Sequence, residues 1–404
     1  MNRQPNGPLA GIRVVDLTTV ISGPVCTMLL ADQGADVVKV EPPGGDIARR
    51  TAGSGEFTAM FVSSNRGKRS IALDLKKPEA LQAVLKLIGQ ADVLVQNFRP
   101  GTMERLGLGE PAMRLANPRL IYTSISGVGE TGPYLKKRVY DPIIQSLSGL
   151  ADVQADRQTG RPQMVRTIVA DKTTAVFAAQ AICAALFSRE RPGPKQGKGQ
   201  HIRLSMLDTM VAYIWPEAMT QYVVVGQEGG GVNSTARPDL IFKTLDGYIT
   251  VGSVSNDEWK GLCEVLGKPR WVDDSRFNTP AARGANAAER LTLVGEILAG
   301  GKSQDWLARL DAADVPCAPV LTRAQVLDDP QVVNNRLIET FEQPGLGMVR
   351  QPRPAARFEG TPALIGGPAP RIGADTRAIL AELGYAAEQI SDMIASGAAK
   401  DAAS

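Results

Sequence analysis

One histidine, His201, stands in a chain of 404 residues. A His-rich metal centre is therefore excluded, and any Ser-His-Asp or Cys-His arrangement would have to use that single ring. The four cysteines, Cys26, Cys183, Cys263 and Cys317, lie far apart and form no CxxC pair, which reads as reduced thiols. Chemistry is left to carboxylates, hydroxyls, amides and cations. Asp171, in Val169-Ala170-Asp171-Lys172-Thr173-Thr174-Ala175, opens an alanine-rich run. On spacing alone it reads as a helix N-cap, accepting from amides of the first turn. A carboxylate there also feels the positive end of the helix, which keeps it ionised, and an ionised carboxylate is a competent covalent nucleophile. His201 falls in the alternating segment His201 to Ser205 and reads as structural, while Met164, Trp215 and Trp259 read as core.

These side chains need a scaffold, and the pattern supplies one. β-Branched runs at 12–17, 35–41, 70–75, 91–98 and 120–126 alternate with helical stretches at 26–33 and 78–90. Strand, helix, strand with short joints predicts crossovers in a parallel sheet, hence an α/β fold with a doubly wound, Rossmann-like large domain. A long helix over 171–189 and a strand at 201–205 follow, then a helix from Leu207. Past Gly226 the texture changes to loop, then to a hairpin turning at Asp246-Gly247 and to helices as far as Val315. The division is residues 1–210 as the first part of the large domain, 211–225 as a linker helix region and 226–325 as a smaller α+β domain. The segment 326–404, with a Pro- and Gly-rich loop from Gln343 to Pro370, has too little sheet to stand alone and returns to the large domain.

Composition removes further classes. A chain 43% hydrophobic and 404 residues long buries a core without staples. No apolar run approaches the roughly 18 to 20 residues that span a bilayer, and the polar start MNRQPNGPLAG carries no export signal; a cytoplasmic protein without membrane association is expected. A net charge of +3 from 45 basic and 42 acidic residues is too balanced for a nucleic-acid binder. The turn from Thr18 to Pro24 has no GxGxxG, so a nicotinamide cofactor is disfavoured even though Glu41 ends the second strand where a ribose-binding acid would sit.

The stretches LAGIRVVDLT, GADVVKVEPPGGD, NRGKRSIALDLK, ADVLVQNFRPGTMERLGLG, NPRLIYTSISGVGETGPY, VADKTTA, GKGQHIRLSMLD, VPCAPV and GADTRAILAELGY run in this order along nearly the whole chain. Together they resemble the class III coenzyme A transferases, the group of formyl-CoA and carnitine CoA-transferases, with 2-methylacyl-CoA racemases as cousins. The resemblance implies transfer of coenzyme A from an acyl-CoA to a carboxylic acid, with no prosthetic group and CoA as substrate. Asp171 becomes the nucleophile that carries first a mixed anhydride and then a CoA thioester. By position the resemblance assigns CoA binding to Ser22 and the loop before it, Leu73, Lys76, Asn97, Phe98, Arg99, Arg105, and the stretch Arg138 to Asp141 with Tyr140. The Tyr140 hydroxyl would donate to a thioester oxygen or its ring pack on pantetheine; a ring filling space beside the sheet is the plain alternative. Gly229, Gly230 and Gly231 match a loop that closes over the acyl intermediate, where glycine lets backbone amides approach and excludes water. An interlocked homodimer is implied as well.

Two departures narrow this. Ile21 stands where formyl-CoA transferases carry Gln, and Pro42 where they carry Arg, which argues against formate or oxalate and for a different grip on the adenine. The racemase cousins need acid–base groups on both sides of an α-carbon. Tyr140 replaces their His, and Ser255 stands where their Glu is expected, so transfer is favoured over racemisation. A nucleotide-binding oxidoreductase or non-catalytic protein is the alternative from another class, distinguished by nicotinamide binding without CoA binding.

Overall fold

The computed structural model describes residues 7–50, 56–194, 196–228 and 239–402. Strands β1 (Arg13–Leu17), β2 (Asp36–Glu41), β3 (Arg69–Leu73), β4 (Val93–Gln96), β5 (Ile121–Ser126) and β6 (His201–Ser205) pair in parallel in the order β3-β2-β1-β4-β5-β6. Val14, Val15, Val37, Val38, Val93, Leu94 and Val95 are all 1% exposed or less, because both faces of the sheet are covered and neither needs polar alternation. The doubly wound α/β expectation holds.

The helices of this part are α1 (Ser22–Asp32), α2 (Ala59–Asn65), α3 (Pro78–Gly89), α4 (Thr102–Arg105), α5 (Glu110–Ala116), α6 (Asp141–Leu147), α7 (Leu150–Val153), α8 (Val169–Glu190) and α9 (Met206–Ala218). Helix α3 starts on Pro78 and buries Ala80, Ala83, Val84, Leu87 and Ile88, the i, i+3, i+4 stripe of a helix lying on a sheet. On the opposite face α1 and α8 pack together over Val14, Val37, Val93 and Ile121. Helix α8 corrects one expectation: its 22 residues are long and apolar enough on average to cross a membrane. Its stripe of Thr174, Ala175, Ala178, Ala179, Ile182, Ala185 and Leu186 is buried in this core, and a core helix rich in alanine passes the same length and hydropathy test.

The chain divides into two compact units, Met1–Thr235 with Arg336–Ser404, and Ala236–Asn335. In the smaller unit β7 (Ile241–Lys243) and β8 (Tyr248–Val251) form the hairpin turning at Asp246-Gly247, and β9 (Cys317–Pro319) pairs antiparallel with β8. Trp259, 2% exposed, lies in its core.

The tail adds sheet that the sequence pattern did not reveal. β10 (Ile338–Gln343) and β11 (Gly347–Pro352) form an antiparallel hairpin, and β12 (Ala399–Lys400) joins the edge of the large sheet antiparallel to β3. Arg66 Nη1 donates to Gln351 Oε1 at 2.8 Å, and Ser70 N–H to Asp375 Oδ2 at 2.8 Å. Met164 and Trp215, expected in the core, are each 43% exposed. All four cysteines are free thiols.

Candidate active site

The strand order reverses between β1 and β4. The chain leaves β1 for α1 on one face and leaves β4 for α4 and α5 on the other, which opens a crevice at the carboxyl ends of these two strands. Helix α1 begins in that crevice with Ile21 at its N-cap and no side chain capping it; Pro24 has no N–H and Val25 N–H is bonded to Ile21 O at 2.8 Å, so Ser22 and Gly23 carry the amides that can meet a ligand or a neighbouring anion. Asp171 supplies the anion. The Ser22 hydroxyl and backbone N–H lie near enough to the Asp171 carboxylate to lower its pKa.

Asp171 is not the N-cap that its spacing suggested. Helix α8 starts two residues earlier, after Ile168, and puts Asp171 in the first turn. The capping is done from a distance by Asp141, the first residue of α6 and 3% exposed. Asp141 Oδ2 accepts from Ala170 N–H at 2.7 Å and from Asp171 N–H at 3.3 Å, and its Oδ1 accepts from Gln145 Nε2 at 2.5 Å. Gln145, 1% exposed, in turn accepts from Val165 N–H at 2.9 Å and so fixes the strap leading into α8. Relieved of capping, the Asp171 side chain is free for chemistry. Burial, and secondarily the negative charge of Asp141, push its pKa up to about 6, while the nearby Ser22 hydroxyl and N–H pull the other way. Such a carboxylate is ionised at neutral pH yet more basic than an ordinary aspartate, a combination suited to attack on an acyl carbon.

The other candidates divide. Arg138 and Tyr140 are exposed just before Asp141, Tyr140 at 72%, so its ring does not fill space beside the sheet. Phe98 and Arg99 line a cavity of about 330 Å³ with Tyr122, Ser124 and His201. His201 Nε2 lies 2.8 Å from Ser124 Oγ, and the ring meets Tyr122 edge-on, the arrangement of a structural histidine. Arg105 reaches Thr102 Oγ1 at 2.9 Å on the surface, and Lys76 is exposed. Leu73 is 1% exposed in the main core, so its side chain offers nothing to a ligand. Asn97 spends its side-chain amide on the backbone of Thr19. Gly229, Gly230 and Gly231 lie outside the described residues. Ser255 caps the helix Asn256–Val265 in a capping box with Glu258. Among the described residues no cluster of three or more metal-ligating side chains occurs.

The family model for CoA-transferase family III matches residues 9–376. Succinyl-CoA:glutarate CoA-transferase of Homo sapiens is 32% identical over 397 residues, 96% of this chain and 89% of that protein. Succinyl-CoA:mesaconate CoA-transferase of Haloarcula hispanica is 38% identical over 360 residues, 84% of this chain and 87% of that protein. The crystal structure of Rv3272 from Mycobacterium tuberculosis superposes with a TM-score of 0.81 at 31% identity, covering 93% of this chain and all of that one. With an aspartate freed of its capping duty at a topological switch point, and a match spanning both compact units, the chain belongs to CoA-transferase family III and is a class III CoA-transferase.

Proposed function

We propose that the protein moves coenzyme A from succinyl-CoA to a second small dicarboxylic acid through covalent intermediates on Asp171. The observation that supports it is the Asp171 carboxylate, pKa about 6, in the first turn of α8 and close to Ser22 at the uncapped start of α1. An Asp171 oxygen attacks the thioester carbonyl; the C–S bond breaks, CoA leaves as thiolate and a mixed anhydride remains. The thiolate then attacks the Asp171 carbonyl carbon, releasing succinate and leaving an aspartyl-CoA thioester. The acceptor carboxylate attacks that carbon and expels the thiolate, which takes the new acyl group and regenerates the Asp171 carboxylate. Only a carboxylate serves, because its own carbonyl carbon must accept CoA; an acylated serine or cysteine would hold the acyl group and never the thiol. At the start of α1 the Gly23 N–H is suited to the oxyanion that each attack creates, Ser22 N–H being turned to Asp171. Dicarboxylates are the substrate class because both named relatives act on succinyl-CoA with a dicarboxylate partner.

The test is incubation with succinyl-CoA, quenching with hydroxylamine or borohydride, and peptide mapping. A derivative on Asp171 is expected. Unlabelled Asp171 in protein that turns over would end the proposal.

We also propose the interlocked homodimer that the resemblance implies. Phe177, Phe187, Tyr213 and Trp215 on α8 and α9 are between 37% and 64% exposed, large apolar side chains that a partner chain would cover. Light scattering is expected to give twice the 43.0 kDa chain mass; a single-chain mass at assay concentration would remove it.

A further inference from the structure

The loop joining β1 to α1 has no slack. Thr18 N–H donates to Asp16 Oδ1 at 2.9 Å, and its C=O accepts from Lys39 Nζ at 2.8 Å. Thr19 N–H donates to Asn97 Oδ1 and its C=O accepts from Asn97 Nδ2, both at 2.9 Å. Val20 N–H donates to Asp46 Oδ1 at 3.3 Å, and Asp46 is itself paired with Lys39 Nζ at 3.0 Å. Successive backbone groups are thus gripped by side chains from β1, β2, the segment after β2 and the end of β4.

Within this grip Val20 has φ +70°. A β-branched residue in the left-handed region is a genuine outlier, and it persists only where its surroundings over-determine it. The next two residues are Ile21, the N-cap of α1, and Ser22, the partner of Asp171. The first turn of α1 also rests directly on the loop: a Cβ on Gly23 would lie 2.3 Å from Thr18 Cβ. Displacing the loop therefore displaces Ser22.

We infer that Asn97 is a positioning residue for the transfer reaction: its amide, clamped on both polar groups of Thr19, holds Val20 left-handed and thereby sets Ser22 against the Asp171 carboxylate. The inference rests on the reading of Asp171 as the nucleophile. It is distinct from the role of CoA ligand that resemblance gives Asn97, because it is made by the amide's bonds to both polar groups of Thr19.

Steady-state kinetics with succinyl-CoA separate the two roles. For Asn97→Ala, kcat falls about 10- to 100-fold, the scale of a sub-ångström to 1 Å misplacement of reacting groups, while KM for succinyl-CoA changes less than about twofold. Glycine adopts positive φ without the Cβ penalty, so a loop with glycine at position 20 no longer needs the clamp to hold that conformation. The double variant Asn97→Ala/Val20→Gly is expected to recover kcat about tenfold over Asn97→Ala. Should Asn97→Ala fold poorly, Asn97→Asp keeps the acceptor for Thr19 N–H, loses the donor, and is expected to show the same rescue. A raised KM with kcat retained, or a double variant no faster than the single one, would overturn the inference. Trapping on Asp171 in the parent protein is read separately: its failure removes the nucleophile, whereas trapping without rescue removes only the clamp.

Discussion

Asp171→Asn is expected to lower turnover by about 10⁴-fold or more, the scale on which removing a covalent nucleophile acts, while binding of CoA is retained and the fold becomes more stable. The carboxamide keeps the shape and the acceptor for Ser22 but cannot attack a thioester or carry CoA. The gain in stability follows from the raised pKa. In the fold the carboxyl titrates near 6 against the ordinary 3.8 of an aspartate, so the folded protein holds this proton more tightly than the unfolded chain does. The group's contribution is fully present below about pH 4, where both states are protonated, and is lost as pH rises through about 6. At pH 7.5 the parent fold carries a buried charge that it disfavours by up to about 3 kcal/mol, two pKa units converted to free energy. Asn removes that charge. Thermal unfolding should therefore give the variant a melting point several degrees higher at pH 7.5, with the gap closing near pH 4. The parent's kcat should fall as pH drops through about 6, because only the ionised form attacks. Equal melting points at both pH values would mean that the carboxylate is not strained by its surroundings. A stabilised but inactive variant is the trade expected where a site stores unfavourable burial for use in catalysis.

Much of the frame was legible because its signals are local. Runs such as Arg13-Val14-Val15-Asp16-Leu17 and Val93-Leu94-Val95-Gln96 are strands by β-branching and continuous burial. Asp246-Gly247 marks its hairpin. The tail strand β12 is two residues long and carries no pattern; only its pairing with Leu73 and Ala72, more than 300 residues away, makes it a strand. The other addition of the tail, the hairpin β10–β11, was hidden by the Pro- and Gly-rich composition around it. The site was half legible. Resemblance of VADKTTA singled out Asp171, but spacing gave it the wrong structural role, since local pattern cannot show that a cap is supplied from 30 residues away. Asp141 has one readable signal, an Asp-Pro pair opening a helix at Tyr140-Asp141-Pro142, and the resemblance places it among the CoA contacts. Asn97 was legible as a residue at a strand end in the binding crevice; its clamp on Thr19, 78 residues distant, was not.

Asp141→Ala should separate the distant cap from the nucleophile that it serves. The substitution leaves the N–H groups of Ala170 and Asp171 without their acceptor and takes one partner from Gln145 Nε2. The fully buried donor stranded in this way, Ala170 N–H, costs about 1–3 kcal/mol, and loss of an N-cap about 1 kcal/mol, so a loss of about 2–4 kcal/mol is expected. Turnover should fall about 100-fold, because the first turn of α8, which carries Asp171, is no longer fixed. A second effect runs in the opposite sense and identifies the mechanism. Asp141 is one of the two causes that raise the Asp171 pKa; without it that pKa drops, and the acid limb of the kcat profile moves below pH 6. Asp141→Asn keeps one acceptor for the helix amides while removing the charge. It should recover most of the stability and some of the turnover, yet show the same displaced limb. The paired profiles decide between two accounts of Asp141. If it only holds the helix, the Asn variant has the parent's pH dependence; if its charge also tunes the nucleophile, both variants share a limb shifted to lower pH, whatever their stabilities.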